Sequence, residues 1–212
     1  MWDYELGWKL ALADRAITWT GAAFRIDWSH LQQLVPTTLF NYITNAGSAR
    51  SDGFETELAV RPVNHLSLEA GVTYANAHLI GPQPLVSDPT QQLHEGERLG
   101  GVPKWTASAS ASYSQPVAPG LSLTARVDYS YQSSRSNFVA EQNPAYFIIR
   151  QSELTNLHLQ LVGDHWNLGL DVDNLFDAFA PLSGKALDAN LIRTVTAAAP
   201  RTIRLRISKT YR

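Results

Sequence analysis

Hydrophobic and polar residues alternate along most of this chain. Trp2, Tyr4, Leu6, Trp8, Leu10 and Leu12 share one face, opposite Asp3, Glu5, Gly7, Lys9 and Ala11. A repeat of two is the signature of a strand with one apolar side. The next segment, ending near Ser29, sets Phe24, Ile26 and Trp28 against Arg25 and Asp27. Ile17 and Trp19 fall out of phase with that set, which predicts a bulge or an inward-facing start. A loop around Gln32 to Thr37 leads to a long segment, Phe40 to Arg61, in which Phe54, Thr56, Leu58 and Val60 alternate with Glu55 and Glu57. The pattern recurs at Leu66 to Tyr74, Trp105 to Ser114, Leu121 to Tyr131, Asn156 to Leu161, Trp166 to Asp173 and Ile203 to Tyr211. Counting segments gives about nine strands. Connections at 14–15, 62–65, 115–120 and 163–165 are tight; those at 81–101, 133–150 and 178–199 are long. Short turns on one rim and long loops on the other suit an up-and-down membrane barrel.

Alternation alone also suits a soluble sandwich, whose apolar faces pack inward. Length favours lipid. The longest of these segments run to a dozen residues or more, against about 5–6 in globular proteins and about 9–11 needed to cross a bilayer at a tilt. Trp105 and Tyr113 bracket Ala107, Ala109 and Ala111. Eight residues at roughly 3.3 Å each, tilted, span about 20 Å, close to the separation of two aromatic girdles. Three alanines in a row would underfill a protein core, whereas fluid lipid fills the space. The lipid-facing aromatics are expected to be Trp2, Tyr4, Trp8, Trp105, Tyr113, Tyr129, Trp166 and Tyr211. The polar face carries both signs of charge, from Glu5, Lys9, Arg25, Asp27, Glu55, Glu57, Glu69, Arg126, Asp128, Asp171, Asp173, Arg204 and Arg206. A dry core would not tolerate these; a wet or plugged lumen does.

Composition narrows the chemistry. A net charge of −2 leaves no basic footprint for nucleic acid. There is no cysteine, hence no disulfide framework and no thiolate metal site. No apolar run reaches the ~18 residues of a membrane helix. Asp171, Asp173 and Asp177 lack the glycine and terminal glutamate of a calcium loop. The six histidines show no metal-ligand spacing. No nucleophile elbow or phosphate loop is present. The expectation is therefore no enzyme, no metal site and no cofactor, with recognition on the long-loop rim. Candidates there are His94, Glu95, Glu97 and Arg98 in one loop, and Tyr131, Arg135 and Asn137 at the start of the next.

Two stretches carry a family resemblance. "DNLFD" at 173–177, followed by "PRT" at 200–202 before the terminal strand, resembles the C-terminal end of TonB-dependent outer-membrane receptors. "YITNAGSARSDGFETEL" at 42–58 resembles a barrel strand of the same receptors. The resemblance implies an all-β fold: an antiparallel up-and-down meander of about nine long strands, an open part of a 22-stranded transmembrane β-barrel. Residues 1–212 then form a single partial segment from the C-terminal part of the barrel, with the plug domain and earlier strands absent. It implies a bacterial outer-membrane location and ferric-siderophore uptake, with ligand bound by loops such as those holding His94, Glu95, Arg98, Tyr131 and Arg135. The implied partners are outer-membrane lipid, the siderophore, and TonB acting through the missing plug. A passive porin, an adhesin barrel and a soluble β-rich binding module remain the rival readings.

Overall fold

The computed structural model describes residues 1–36, 41–45, 47–83, 92–139, 141–187 and 192–209. Nine strands form one antiparallel sheet: β1 (Trp2–Leu12), β2 (Ile17–Ser29), β5 (Ser48–Val63), β6 (Leu66–Ile80), β7 (Trp105–Ala118), β8 (Leu121–Gln132), β11 (Ser152–Gly163), β12 (Trp166–Asp173) and β15 (Thr202–Lys209). Each pairs with its predecessor and successor in that order, so β1 and β15 are the two edges and the barrel is not closed. Three short antiparallel pairs sit within the long connections: β3 (Gln32–Pro36) with β4 (Asn41–Asn45), β9 (Arg135–Ser136) with β10 (Ile148–Ile149), and β13 (Pro181–Leu187) with β14 (Ile192–Ala197). The connection expected as a plain loop at 178–199 therefore carries a hairpin of its own, and the loop expected at 32–37 pairs with Asn41–Asn45, which the sequence pattern joins to the long segment Phe40 to Arg61.

The tight turns all lie on one rim. Ala13, Asp14 and Arg15 adopt left-handed φ values of 50, 51 and 68°, and His65 one of 71°. Ala16 N–H closes the first turn on Ala13 O at 2.9 Å. A turn this short fixes the register of the strands it joins. Pairing from Trp2↔Asp27 to Leu12↔Ile17 runs without a slip, and so does Ile17↔Val60 to Ser29↔Ser48.

That regularity removes the bulge expected in β2, and the register removes the inward-facing start that was its alternative. Ile17 and Trp19 lie on the same face as the apolar side of β1, and Phe24, Ile26 and Trp28 on the opposite face. The phase changes because the surroundings change along the strand, not because the backbone slips.

No second layer covers the sheet among the described residues. The small buried core sits at the long-loop end, where Ala49, Leu79 and Val139 pack with Trp28, Leu31, Leu93 and Leu99. The apolar face elsewhere stays open: Trp2 is 73% exposed and Ile207 74%. A soluble sandwich would bury that face; a continuous exposed apolar surface marks an interface with something apolar.

Candidate membrane face and outer rim

Register lines show how the apolar face is assembled, because directly paired residues in antiparallel strands point the same way. One line runs Leu12, Ile17, Val60, Leu68, Ala111, Val127, Leu157, Val172, Ile203. It crosses all nine strands without a charge. Phe54, Tyr74 and Trp105 form an aromatic trio near the long-loop end, with centroids 6.0 Å (Phe54–Tyr74), 5.9 Å (Phe54–Trp105) and 4.7 Å (Tyr74–Trp105) apart. Trp8 packs edge-on to Trp19 at 5.6 Å and lies across Gly21. Trp19 Nε1–H donates to Thr56 Oγ1 at 2.7 Å, and that hydroxyl donates to Thr20 O at 3.0 Å. An indole N–H on an apolar surface needs such an acceptor. Tyr113 meets the same need by donating to Gln115 Oε1 at 2.7 Å. Trp2, Tyr4, Tyr129 and Trp166 are exposed on this face too, while Tyr211 lies outside the described residues.

The upper aromatic margin slopes. Tyr131 on β8 shares a register line with Trp8 on β1, through Ala107, Val72, Thr56 and Gly21. The aromatics ending the apolar face of β1 are Tyr4 and Trp2, four and six residues beyond Trp8. That is about 14–20 Å along the strand over about 24 Å across five interstrand steps, a slope of roughly 30–40°. Strands of a membrane barrel tilt by roughly 35–45°, so a level belt should climb through the register at about this slope.

The opposite face lines a hollow of about 690 Å³, with Glu5, Lys9, Glu55, Glu57, Thr73, Thr106, Ser108 and Ser130 on its wall. Farther along, charges alternate in a chain. Arg126 pairs with Asp128 at 2.6 Å; His158 lies 3.6 Å from Asp128 and 2.8 Å from Asp171; Arg206 reaches Asp171 at 2.8 Å and Arg204 reaches Asp173 at 2.7 Å. Asp128, Asp171 and Asp173 each have a cationic or imidazole partner in this series. Among the described residues no cluster of three or more His, Asp or Glu side chains could hold a metal ion.

Two charges expected on that wall are not on it. Arg25 and Asp27 sit on the register lines of Tyr4 and Trp2, on the apolar side, as do Asp52 and Arg50. Beyond the aromatic trio the two faces of β2, β5 and β6 exchange character. Ala49, Ala77 and Leu79 are buried on the hollow side, with Val139 packed in one cluster with Ala49 and Leu79.

The rim residues scatter. His94 and Glu95 are exposed on a turn closed by Glu97, whose N–H bonds to His94 O at 3.3 Å and whose carboxylate accepts from His94 N–H at 3.1 Å. Arg98 bridges to His78 in register and donates to Val102 O at 3.2 Å. Tyr131 stands on the apolar-face register between Ala107 and Glu153. Arg135 is buried, 4% exposed; its guanidinium donates to Leu182 O, and to Pro181 O at 3.4 Å. Burial without a carboxylate partner pulls its pKa below the usual arginine range. Asn137 is also spent within the loop, donating to Ala145 O at 3.0 Å and accepting from Phe147 N–H at 2.8 Å. The structure therefore does not gather His94, Glu95, Arg98, Tyr131 and Arg135 into one site.

Sequence reasoning quoted the 173–177 and 200–202 stretches but missed what they do. Asn174 is 3% exposed, with φ +50°. Its amide donates to Ala178 O at 2.9 Å and Ala199 O at 3.1 Å, and accepts from Ala178 N–H at 2.8 Å. Asp177 accepts from Arg201 N–H at 2.9 Å. The two pieces form a clasp across the base of the longest described connection.

With this geometry in place, comparison with known proteins is decisive for the family. A profile described as TonB dependent receptor-like, β-barrel, matches residues 1–175. The chain belongs to the TonB-dependent receptor-like β-barrel family. The metal-pseudopaline receptor CntO of Pseudomonas aeruginosa PAO1 is 28% identical over 180 residues, 82% of this chain and 23% of the relative. This chain thus spans about a quarter of the length of that curated relative. Among solved structures, the ferric yersiniabactin uptake receptor FyuA from Yersinia pestis superposes with a TM-score of 0.78 at 20% identity, covering 98% of this chain and 29% of FyuA. The siderophore receptor PiuA from Acinetobacter baumannii gives 0.71 at 23% identity, covering 99% and 28%. These likenesses establish a TonB-dependent receptor barrel fold; the family comprises receptors and transporters of the bacterial outer membrane.

Proposed function

We propose that this chain is the C-terminal barrel portion of an outer-membrane receptor that takes up a metal chelate of the ferric-siderophore type. The match across residues 1–175 carries the proposal, and the metal-pseudopaline relative supports a chelated metal as cargo. In this reading the apolar face meets lipid, with Trp2, Tyr4, Trp8, Trp105, Tyr113, Tyr129, Trp166 and Tyr211 at or near the two interfaces. The charged wall meets the plug that a full-length receptor adds, and TonB acts through that plug. His94 and Glu95, exposed on their turn, are the rim residues best placed to touch ligand; Arg98 and Arg135 act mainly by shaping the loops around it, and Tyr131 belongs to the aromatic margin of the apolar face.

The test is uptake. Deleting the gene should abolish accumulation of iron-55 supplied on one member of a ferric-siderophore panel, and deleting TonB should do the same. Accumulation unchanged by either deletion across the panel would contradict the proposal, and uptake that needs the gene but not TonB would mark a passive pore.

A further inference from the structure

The connections on the long-loop rim meet along two seams of different make. One joins residues 133–150 to residues 92–101. Val139 is buried there with Leu79, and Leu93 and Leu99 pack against them. Gly101 N–H donates to Ser136 O at 2.8 Å, and Gly100 lies so close to Phe138 that a Cβ on it would overlap the Phe138 backbone. Parting this seam would break a backbone hydrogen bond and wet an apolar cluster, so it is costly.

The other seam joins residues 133–150 to the hairpin β13–β14. The buried Phe147 ring lies against Gly184, where a Cβ would come 2.8 Å from its Cζ, and Arg193 Cζ sits 5.3 Å from the ring centroid. Gly184 pairs with Val195 and Ala186 with Arg193, so one face of the hairpin supplies both contacts. Among the described residues no backbone hydrogen bond crosses here. The base of the hairpin is irregular. Pairing passes from Pro181↔Ala197 to Ser183↔Thr196, which leaves Leu182 as an extra residue. Such a bulge interrupts the ladder and bends the strand. Arg135 Nη2 donates to the carbonyls on both peptides at that point, Pro181 O at 3.4 Å and Leu182 O. On the sheet side of the bulge, the Asn174 amide fixes Ala178 and Ala199.

We propose that the hairpin β13–β14 is a hinged arm that turns about the Leu182 bulge, with Arg135 pinning the hinge and Phe147 latching the arm, while residues 92–101 and 133–150 form one rigid wall. The bulge is the weak point between two fixed parts, the Asn174 clasp and the paired arm. Arg135 acts as a positioning residue: its planar head serves two adjacent carbonyls that the interrupted ladder leaves over. The latch is a ring between a glycine face and a cation, a contact that parts and re-forms without changing any strand register. The arm works in the same way whatever the cargo, so a failed uptake test would leave it standing.

The experiment uses the full-length receptor in lipid vesicles, freed of other cysteines, with spin labels at two pairs of exposed positions. Glu95→Cys with Glu141→Cys spans the first seam; Glu141→Cys with Lys185→Cys spans the second. Distances come from double electron–electron resonance. The first pair should give one narrow distribution, and the second a narrow distribution with a minor longer component. Phe147→Ala and Arg135→Met should each enlarge the longer component about fivefold, since one removes the latch and the other leaves the bulge carbonyls without a donor. Arg193→Gln removes only an exposed cation from the ring and should enlarge it about twofold, which guards against a misfolded Phe147 variant. The first pair should not change in any of them. A second-pair distribution identical to the parent in Phe147→Ala and Arg135→Met would overturn the proposal. Equal broadening of both pairs would overturn it too, by showing that the three connections move as one body.

Discussion

Asn174→Ala is expected to open the base of the connection between β12 and β15 and to lower the unfolding free energy by about 3 kcal/mol. The side chain makes three hydrogen bonds, two to Ala178 and one to Ala199 O, in a 3% exposed position. Each contributes about 1 kcal/mol, and a buried backbone group left unpaired costs about 1–3. Alanine also fits φ +50° less well than asparagine, whose short polar side chain tolerates the left-handed region. Asn174→Asp keeps the acceptor for Ala178 N–H and loses both donors, so it should fall between. Urea titration of the full-length receptor in lipid vesicles gives the free energy. Hydrogen exchange should show lost protection at Ala178 and Arg201, whose amides bond to Asn174 and Asp177. An alanine variant within about 0.5 kcal/mol of the parent, with protection intact, would show that the clasp is not structural.

Gly53→Ala should be nearly as damaging, at about 2–3 kcal/mol. A Cβ there would lie far inside contact distance of the Tyr74 carbonyl oxygen and the Phe24 ring. The ring can move; the carbonyl cannot without opening the β5–β6 ladder at Gly53↔Ala75. Forcing volume into a packed position typically costs about 1–3 kcal/mol, and β5 carries two neighbours that must both adjust. Gly71 is the internal control: its added Cβ would meet Ser108 Oγ at 3.2 Å, the end of a movable side chain. Gly71→Ala should cost less than about 1 kcal/mol by the same urea titration. Equal costs at the two positions would remove the steric account of Gly53.

Gly53 also shows where reading the chain succeeded and where it stopped. Its stretch, 42–58, and the 173–177 and 200–202 pieces were legible as family marks. What they do was not, because a hydrogen bond from Asn174 to Ala199 O leaves no trace in spacing. The nine strands were legible, since a repeat of two sustained over 8–16 residues has few alternative explanations. The phase of β2 was misread for one reason: a strand was assumed to keep one solvent on each side along its length. β2 leaves the apolar zone between Ala23 and Arg25, and beyond that point its hollow side is covered by Val139 and its neighbours. The hairpins β3–β4 and β13–β14 are short and lack sustained alternation, so pattern counting placed β3, β13 and β14 in loops and ran β4 into the long segment Phe40 to Arg61. Arg135 looked like a rim cation; only tertiary structure reveals that Leu182 and Pro181 carbonyls take its donors.

The central claim is that the apolar face meets lipid, and Trp105 tests it directly. Trp105 is 42% exposed, and its ring centroid lies 4.7 Å from that of Tyr74 at the end of the Ala107, Ala109, Ala111 run. A tryptophan with an apolar ring and one N–H is favoured at the headgroup boundary. Substituting Arg at Ala109 would not discriminate, since a charge is costly both in a dry core and, at about 2–4 kcal/mol, at the bilayer midplane. With Trp105 as the sole tryptophan of the reconstituted full-length receptor, acyl chains brominated near the interface should quench its emission more strongly than chains brominated at the bilayer centre. Emission unaffected by bromine at any depth would contradict the membrane assignment of this face.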